Sequence, residues 1–143
     1  MIPDRVVILA GFVVMVALAM IVARWWVRDR DRRRVATPSR LLWDALEVRP
    51  DGRPTIVAFS TPSCAVCKSA QMPALNELVD RLGPESVRVI QVNAAERPHV
   101  AAAFGILTVP TTIVLANDGQ VATTNNGFAP LDRLAQQVLG ARD

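Results

Sequence analysis

Residues 55–71 read TIVAFSTPSCAVCKSAQ, and this stretch decides the fold. Thr55 to Ser60 is a short apolar, β-branched run and reads as a buried strand. Thr61-Pro62-Ser63 breaks it. Beyond Ser63 the spacing turns helical, with Met72, Leu75, Leu78, Val79 and Leu82 on one face and Gly83-Pro84 ending the run. Cys64 and Cys67 therefore fall where a buried strand hands over to a long helix.

Working outward, Val87 to Asn93 (VRVIQVN) alternates as a second strand, and Glu96 to Phe104 is helical, stopped by Gly105. Thr111–Leu115 and Gln120–Thr124 make two strands joined by Ala116-Asn117-Asp118-Gly119, a hairpin signal. Leu131 to Leu139 closes as a helix, with Gly140 after it. Upstream, Leu41 to Leu46 is a short amphipathic helix, and Pro50-Asp51-Gly52 is a turn. The order is βαβ, a further helix, then a ββα unit. That is an α/β domain of about 105 residues, enough to bury one core between helices and a mixed sheet.

Cys64-Ala65-Val66-Cys67 is the constellation with obvious chemistry. At the first turn of a helix, two cysteines three apart bring their sulfurs together. The unpaired N–H groups and positive end of the helix favour a Cys64 thiolate, and Lys68 adds positive charge nearby. A thiolate there attacks a disulfide, and the second thiol resolves the mixed disulfide. A structural pair of buried thiols, or half of a zinc or copper site, remains open on spacing alone. With two cysteines and one histidine in 143 residues, closed four-ligand metal coordination within one chain is not expected.

FSTPSCAVCK, then VNAAE, then Gly105-Ile106-Leu107-Thr108-Val109-Pro110-Thr111 and a strand–NDG–strand hairpin together resemble the thioredoxin superfamily, over roughly residues 41–142. The resemblance implies a thioredoxin-like fold, a central mixed sheet flanked by helices. It implies a Cys64–Cys67 redox dithiol acting on protein thiols and disulfides, served by a reductant or oxidant protein partner. No organic cofactor is implied, since the electrons reside in the dithiol. Pro110 matches a proline that is cis in the family. Its loop, Val109-Pro110, would pair with substrate backbone, and Ser63 stands on the rim, where the family has an aromatic. Gly127 matches a glycine at which a neighbouring backbone approaches closely.

The departures are as informative. Ala58 occupies the position of the buried aspartate that relays a proton, and Gln91 that of its lysine partner. Pro73 comes six residues after Cys67 rather than the common five, so a local helix adjustment is expected. These differences argue against a housekeeping thioredoxin and suit a specialised membrane-tethered relative.

Val6 to Ala23 carries no charge and, extended through Trp25, Trp26 and Val27, is long enough for a hydrocarbon core of about 30 Å. The two tryptophans lie where an aromatic belt would sit, before an arginine collar. The expected organisation is an anchor over 1–27, embedded in lipid through residues 6–27, a basic linker over 28–40 and the folded domain over 41–143. A cleaved signal peptide is the rival, with Ala17-Leu18-Ala19 in the small-x-small form of a cleavage site, but the run is long for a signal and only Arg5 precedes it. Seven arginines follow the apolar run and one precedes it, which favours a cytoplasmic domain; tethered relatives usually work outside. Both sides stay open.

The formal charge of +3 is uneven: residues 24–40 carry seven Arg against two Asp, while residues 41–143 hold eight basic and ten acidic groups. A domain of that balance is not a nucleic-acid binder. His99 reads as a solvated surface group and Trp43 as helix packing rather than a shield over the cysteines. A redox-inert or metallochaperone-like binding module is the alternative to an enzyme; two thiolates are a reasonable seat for Cu(I).

Overall fold

The structure is a computed structural model and describes residues 2–34 and 39–143. Its contacts divide it into two compact units, the N-terminal helix and everything from Ser39 onward. The first unit is α1 (Ile2–Arg34), in which Val6–Trp26 is long and apolar enough to cross a membrane, with a mean hydropathy of 3.1. Twenty-one residues at about 1.5 Å each match the hydrocarbon thickness. The helix continues through the arginines to Arg34. Positions 35–38 of the expected linker lie outside the described residues.

The second unit runs α2 (Ser39–Leu46), β1 (Thr55–Ser60), a π-turn (Cys67–Gln71) leading into α3 (Met72–Leu82), β2 (Arg88–Asn93), α4 (Pro98–Ala103), β3 (Thr111–Leu115), β4 (Val121–Asn126) and α5 (Leu131–Gly140). The sheet order is β2-β1-β3-β4. β1 pairs with β2 in parallel, Thr55 opposite Arg88 through Ser60 opposite Asn93, and with β3 antiparallel, Phe59 opposite Thr111. This is the mixed sheet with flanking helices that the sequence implies.

Strand alternation sorts the core onto the two faces of the sheet. Ile56 and Ala58 from β1 and Val114 from β3 pack with Leu75 and Leu78 of α3 and Leu134 and Val138 of α5. Val57, Phe59, Ile113 and Leu115 pack on the other face with Trp43 and Leu46 of α2 and Val100 of α4. The sandwich therefore has two apolar layers rather than one. The central strand is buried on both faces, which is why TIVAFS is a continuous apolar run.

Several boundaries differ from the sequence reading by a residue or two, α2 for one starting at Ser39 inside the expected linker, and three have a clear reason. α4 starts at Pro98, not Glu96, because Asn93 folds the chain into a turn: its Oδ1 accepts the Ala95 N–H at 3.0 Å and its carbonyl the Arg97 N–H at 2.9 Å. Proline then suits the first helical position, where no N–H is needed. β4 runs to Asn126 because Asn125, which reads as a turn residue, is buried: its amide exchanges 2.8 Å bonds with Gln137 and donates to Thr112 Oγ1. Gly140 is the last helical residue, and Ala141 makes the cap.

The loop before β1 is tied down by charge. Arg53 pairs with Asp51 and donates to the Pro84 carbonyl at 2.6 Å, while Arg88 reaches Asp51 at 3.5 Å and the Arg49 carbonyl at 3.1 Å. The Arg53 hydrogen bond is the main reason the Asp51 carboxyl is lowered from 3.8 to about 2. A depressed carboxylate contributes stability that is complete above the unfolded value and lost as pH falls through the folded one. Acid unfolding followed by circular dichroism should thus show wild type losing stability relative to Asp51→Asn between pH 3.8 and about 2. Parallel curves would mean that the ion cluster contributes nothing.

Candidate active site

The site grows out of the end of β1. After Ser60 the chain turns, the Cys64 N–H donating to the Thr61 carbonyl at 3.1 Å, and a helix begins at Ala65. Cys64 is half-buried at its mouth. Cys67, one turn in, is 2% exposed. The two are joined as a disulfide, S–S 2.13 Å with Cα atoms 5.3 Å apart. The Cys67 backbone N–H donates to Cys64 Sγ at 3.2 Å, so a first-turn amide of the helix is aimed at the outer sulfur. Ser63 is exposed beside it, its Oγ 3.4 Å from Thr61 Oγ1. Val66, inside the motif, is 47% exposed.

The helix adjustment expected from the position of Pro73 is the π-turn. The Met72 N–H bonds to the Cys67 carbonyl, five residues back, and the helix resumes α geometry from Met72. One extra residue is absorbed immediately after the buried cysteine, and such insertions recur at functional sites. The turn also puts Gln71, which sequence reasoning passed over, into the interior. Its Nε2 donates to the Ala129 carbonyl at 3.2 Å and its Oε1 accepts the Ala129 N–H at 2.9 Å. A polar residue two before a helical proline carried no signal that could have found this bond pair. Gln71→Leu leaves both Ala129 groups unpaired and should cost about 1–3 kcal/mol in urea unfolding, whereas no loss would mean that water replaces the amide.

Val109-Pro110 is a cis bond, as the resemblance implies. The Thr111 hydroxyl donates to the Thr108 carbonyl at 2.7 Å and the Gly127 N–H to the Pro110 carbonyl at 2.8 Å, fixing the loop from both sides. Gly127 has φ +88°, and a Cβ there would meet nothing within 4 Å. The expected close approach is therefore corrected: glycine is needed for its backbone conformation. Val109 shares a groove of about 420 Å³ with Thr61 of the cysteine loop and with Ala101, Ile106 and Leu107. Leu107 is 94% exposed, an apolar side chain in open solvent on that loop that sequence reasoning did not single out.

Ala58 is buried, directly opposite Gln91 in the β1–β2 register, and Gln91 is exposed. No carboxylate stands behind Cys67 from either position. His99 is exposed, as expected. Trp43 is buried in the core against α4 and the sheet, with its indole N–H on the Gly119 carbonyl at 2.9 Å.

A two-cysteine helix mouth on a mixed sheet, beside a cis-proline loop, defines the thioredoxin-fold thiol-disulfide oxidoreductases. The family model described as Thioredoxin matches residues 43–139. Thioredoxin 1 of Synechococcus elongatus is 34% identical over 92 residues, 64% of this chain and 83% of that protein. Thioredoxin of Rhodospirillum rubrum is 35% identical over 91 residues, 64% and 84% of the two chains. Among solved structures, a single-site mutant of thioredoxin from Halobacterium salinarum superposes with a TM-score of 0.59 at 21% identity, covering 66% of this chain and 79% of that one. The chain belongs to the thioredoxin family and is a thiol-disulfide oxidoreductase.

Proposed function

We propose that this protein is a membrane-tethered oxidoreductase that exchanges disulfides with partner proteins, Cys64 attacking and Cys67 resolving. The observation that carries it is the asymmetry of the pair: the outer sulfur is accessible and accepts the Cys67 N–H, while the inner one is buried. On reduction that amide and the helix mouth favour the Cys64 thiolate, the attacking species. An extended partner segment would lie along Val109-Pro110, with Ser63 on the rim and Leu107 offering apolar contact. The proton that leaves Cys67 would go to water, because Ala58 and Gln91 supply no acid–base pair.

Residues 1–27 would anchor the chain, 28–40 link it and 41–143 carry the chemistry. The apolar α1 supports this reading. The full chain should stay with membranes after an alkaline carbonate wash, while a fragment from Ser39, which has its own two-layered core, should be released. Release of both would sink the tether. Redox titration of the fragment against glutathione and dithiothreitol tests the exchange reading. A reversible couple near about −270 mV makes the protein a reductant and one near about −120 mV an oxidant, while no couple leaves a binding module.

A further inference from the structure

A cavity of about 730 Å³ lies at the end of the domain away from the disulfide, lined by α2, the loop after it and the β3–β4 turn. Thr55 opens β1 at this end, opposite Leu115 where β3 finishes, whereas Cys64 follows Ser60 at the other end of the strand. The cavity walls carry Arg40 and Asp44 from α2, Arg49 from the loop and Asp118 from the turn, with Ser39 and buried Trp43 beside them. Arg40 and Asp44 are four apart on one helix, the spacing at which opposite charges ordinarily meet. They do not meet here. Among the described residues, none of these four charges forms an ion pair, with one another or with any other group. Asp118 Oδ1 accepts the Gln120 N–H at 2.9 Å, and the other three side chains hold no hydrogen bond. Two cations and two anions thus ring one cavity with most of their bonding capacity unused.

We propose that this cavity binds the phosphoethanolamine headgroup of a membrane lipid. Guanidinium groups are planar forks suited to phosphate oxygens, and Arg40 and Arg49 supply two of them. A primary ammonium has three N–H donors, which the two carboxylates and the Ser39 hydroxyl can accept. A choline headgroup has no N–H to give. A purely anionic headgroup sets its charge against Asp44 and Asp118 with nothing to offset them. A zwitterion with phosphate and ammonium joined by a short link matches all four charges. The lipid source follows from the chain. Ser39 is five positions beyond the last residue of α1, whose Val6–Trp26 stretch is long and apolar enough to cross a membrane. For its lipid the inference rests on the tether; it asks nothing of the cysteines.

The test titrates the isotope-labelled full chain, in nonionic detergent, with glycerophosphoethanolamine, which carries the headgroup without acyl chains. The Asp44 and Asp118 amide resonances should shift and saturate, and glycerophosphocholine should bind at least about fivefold more weakly. Arg49→Gln and Asp118→Asn should each lose at least about fivefold in affinity for glycerophosphoethanolamine. Asn at 118 keeps an oxygen for the Gln120 N–H, so the turn survives, and resonances away from the cavity should stay in place in both variants. Shifts that do not saturate, or equal affinities in the three chains, would overturn the site. Native mass spectrometry then separates a lipid from a free zwitterion. From equimolar phosphatidylethanolamine and phosphatidylcholine, wild type should retain the first in preference and Asp118→Asn should not. The α1 helix is the same in both chains, so the difference reads the cavity, and equal retention would overturn the lipid. A chain that ignores the headgroup yet stays in carbonate-washed membranes overturns this inference alone. One that binds the headgroup yet washes off overturns the tether, and the lipid source with it.

Discussion

Cys64→Ser should lower insulin-disulfide reduction by about three orders of magnitude or more, to the uncatalysed level, because a hydroxyl neither ionises at neutral pH nor attacks sulfur usefully. Cys67→Ala should fail differently. The hydrogen bond to Cys64 Sγ comes from the backbone N–H of residue 67, so it survives the loss of the side chain. Attack therefore proceeds, but the mixed disulfide has no resolving thiol and accumulates. The partner should appear as a thiol-sensitive adduct on a non-reducing gel, with Cys64 as the linked residue by mass spectrometry. Wild-type turnover in Cys64→Ser would reverse the assignment of the two sulfurs, and a Cys67→Ala chain that traps no protein would overturn the exchange itself. The first outcome would make Cys67 the nucleophile despite its 2% exposure; the second would leave the pair without protein substrates.

Much of this site was legible from local pattern. A continuous apolar strand, a broken turn and a helix with cysteines at its first turn give the position of the disulfide without any structure. Pro73 displaced by one residue announced an irregularity in the helix, and a proline opening a strand after Thr108-Val109 announced the cis loop through its resemblance. Pairwise contacts between distant segments were not legible. Gln71 looks like any polar helical residue until the π-turn rotates it inward onto Ala129. Asn125 followed by Asn126 and Gly127 has the composition of a turn, and only Gln137, twelve residues on, makes it a buried strand residue. Gly127 shows that a correct position can carry the wrong reason: its φ demands glycine, while the space beside it is open.

The position of Met72 belongs to the same lesson. Residue spacing assumes a helical period, and the period changes for five residues immediately after Cys67. The sequence pattern put Met72 on the apolar face with Leu75 and Val79, and it does pack there in part. The inserted residue also puts it on a cavity of about 230 Å³ that Cys67 lines.

Trp43→Ala is expected to be the most destabilising single change outside the cysteines, by about 3–5 kcal/mol. The side chain is 5% exposed and fills the layer between α2, α4 and the sheet, against residues such as Leu46, Val57 and Val100. Its indole N–H also holds the β3–β4 turn through the Gly119 carbonyl, 76 residues away in sequence. The turn is built for that contact. Gly119 has φ +83°, and a Cβ there would stand 2.8 Å from Trp43 Nε1. Trp43→Phe keeps most of the buried area but not the donor, and should cost less, about 1–3 kcal/mol. Gly119→Ala strains the backbone and pushes the indole away from the same carbonyl. Combined with Trp43→Phe it should cost less than the two losses summed, since both remove one contact. For a domain of this size, about 3–5 kcal/mol is a large share of a total of about 5–15 kcal/mol, so the melting temperature should fall by roughly 15–30 °C. Far-UV circular dichroism in urea is the measurement, because Trp25 and Trp26 would confuse fluorescence. Activity per folded molecule should be followed alongside, since the same core layer carries Ile106 and Val109 of the groove beside the cysteine loop. A Trp43→Ala chain within about 1 kcal/mol of wild type, the size of an ordinary surface change, would show that α2 is not what holds the hairpin turn.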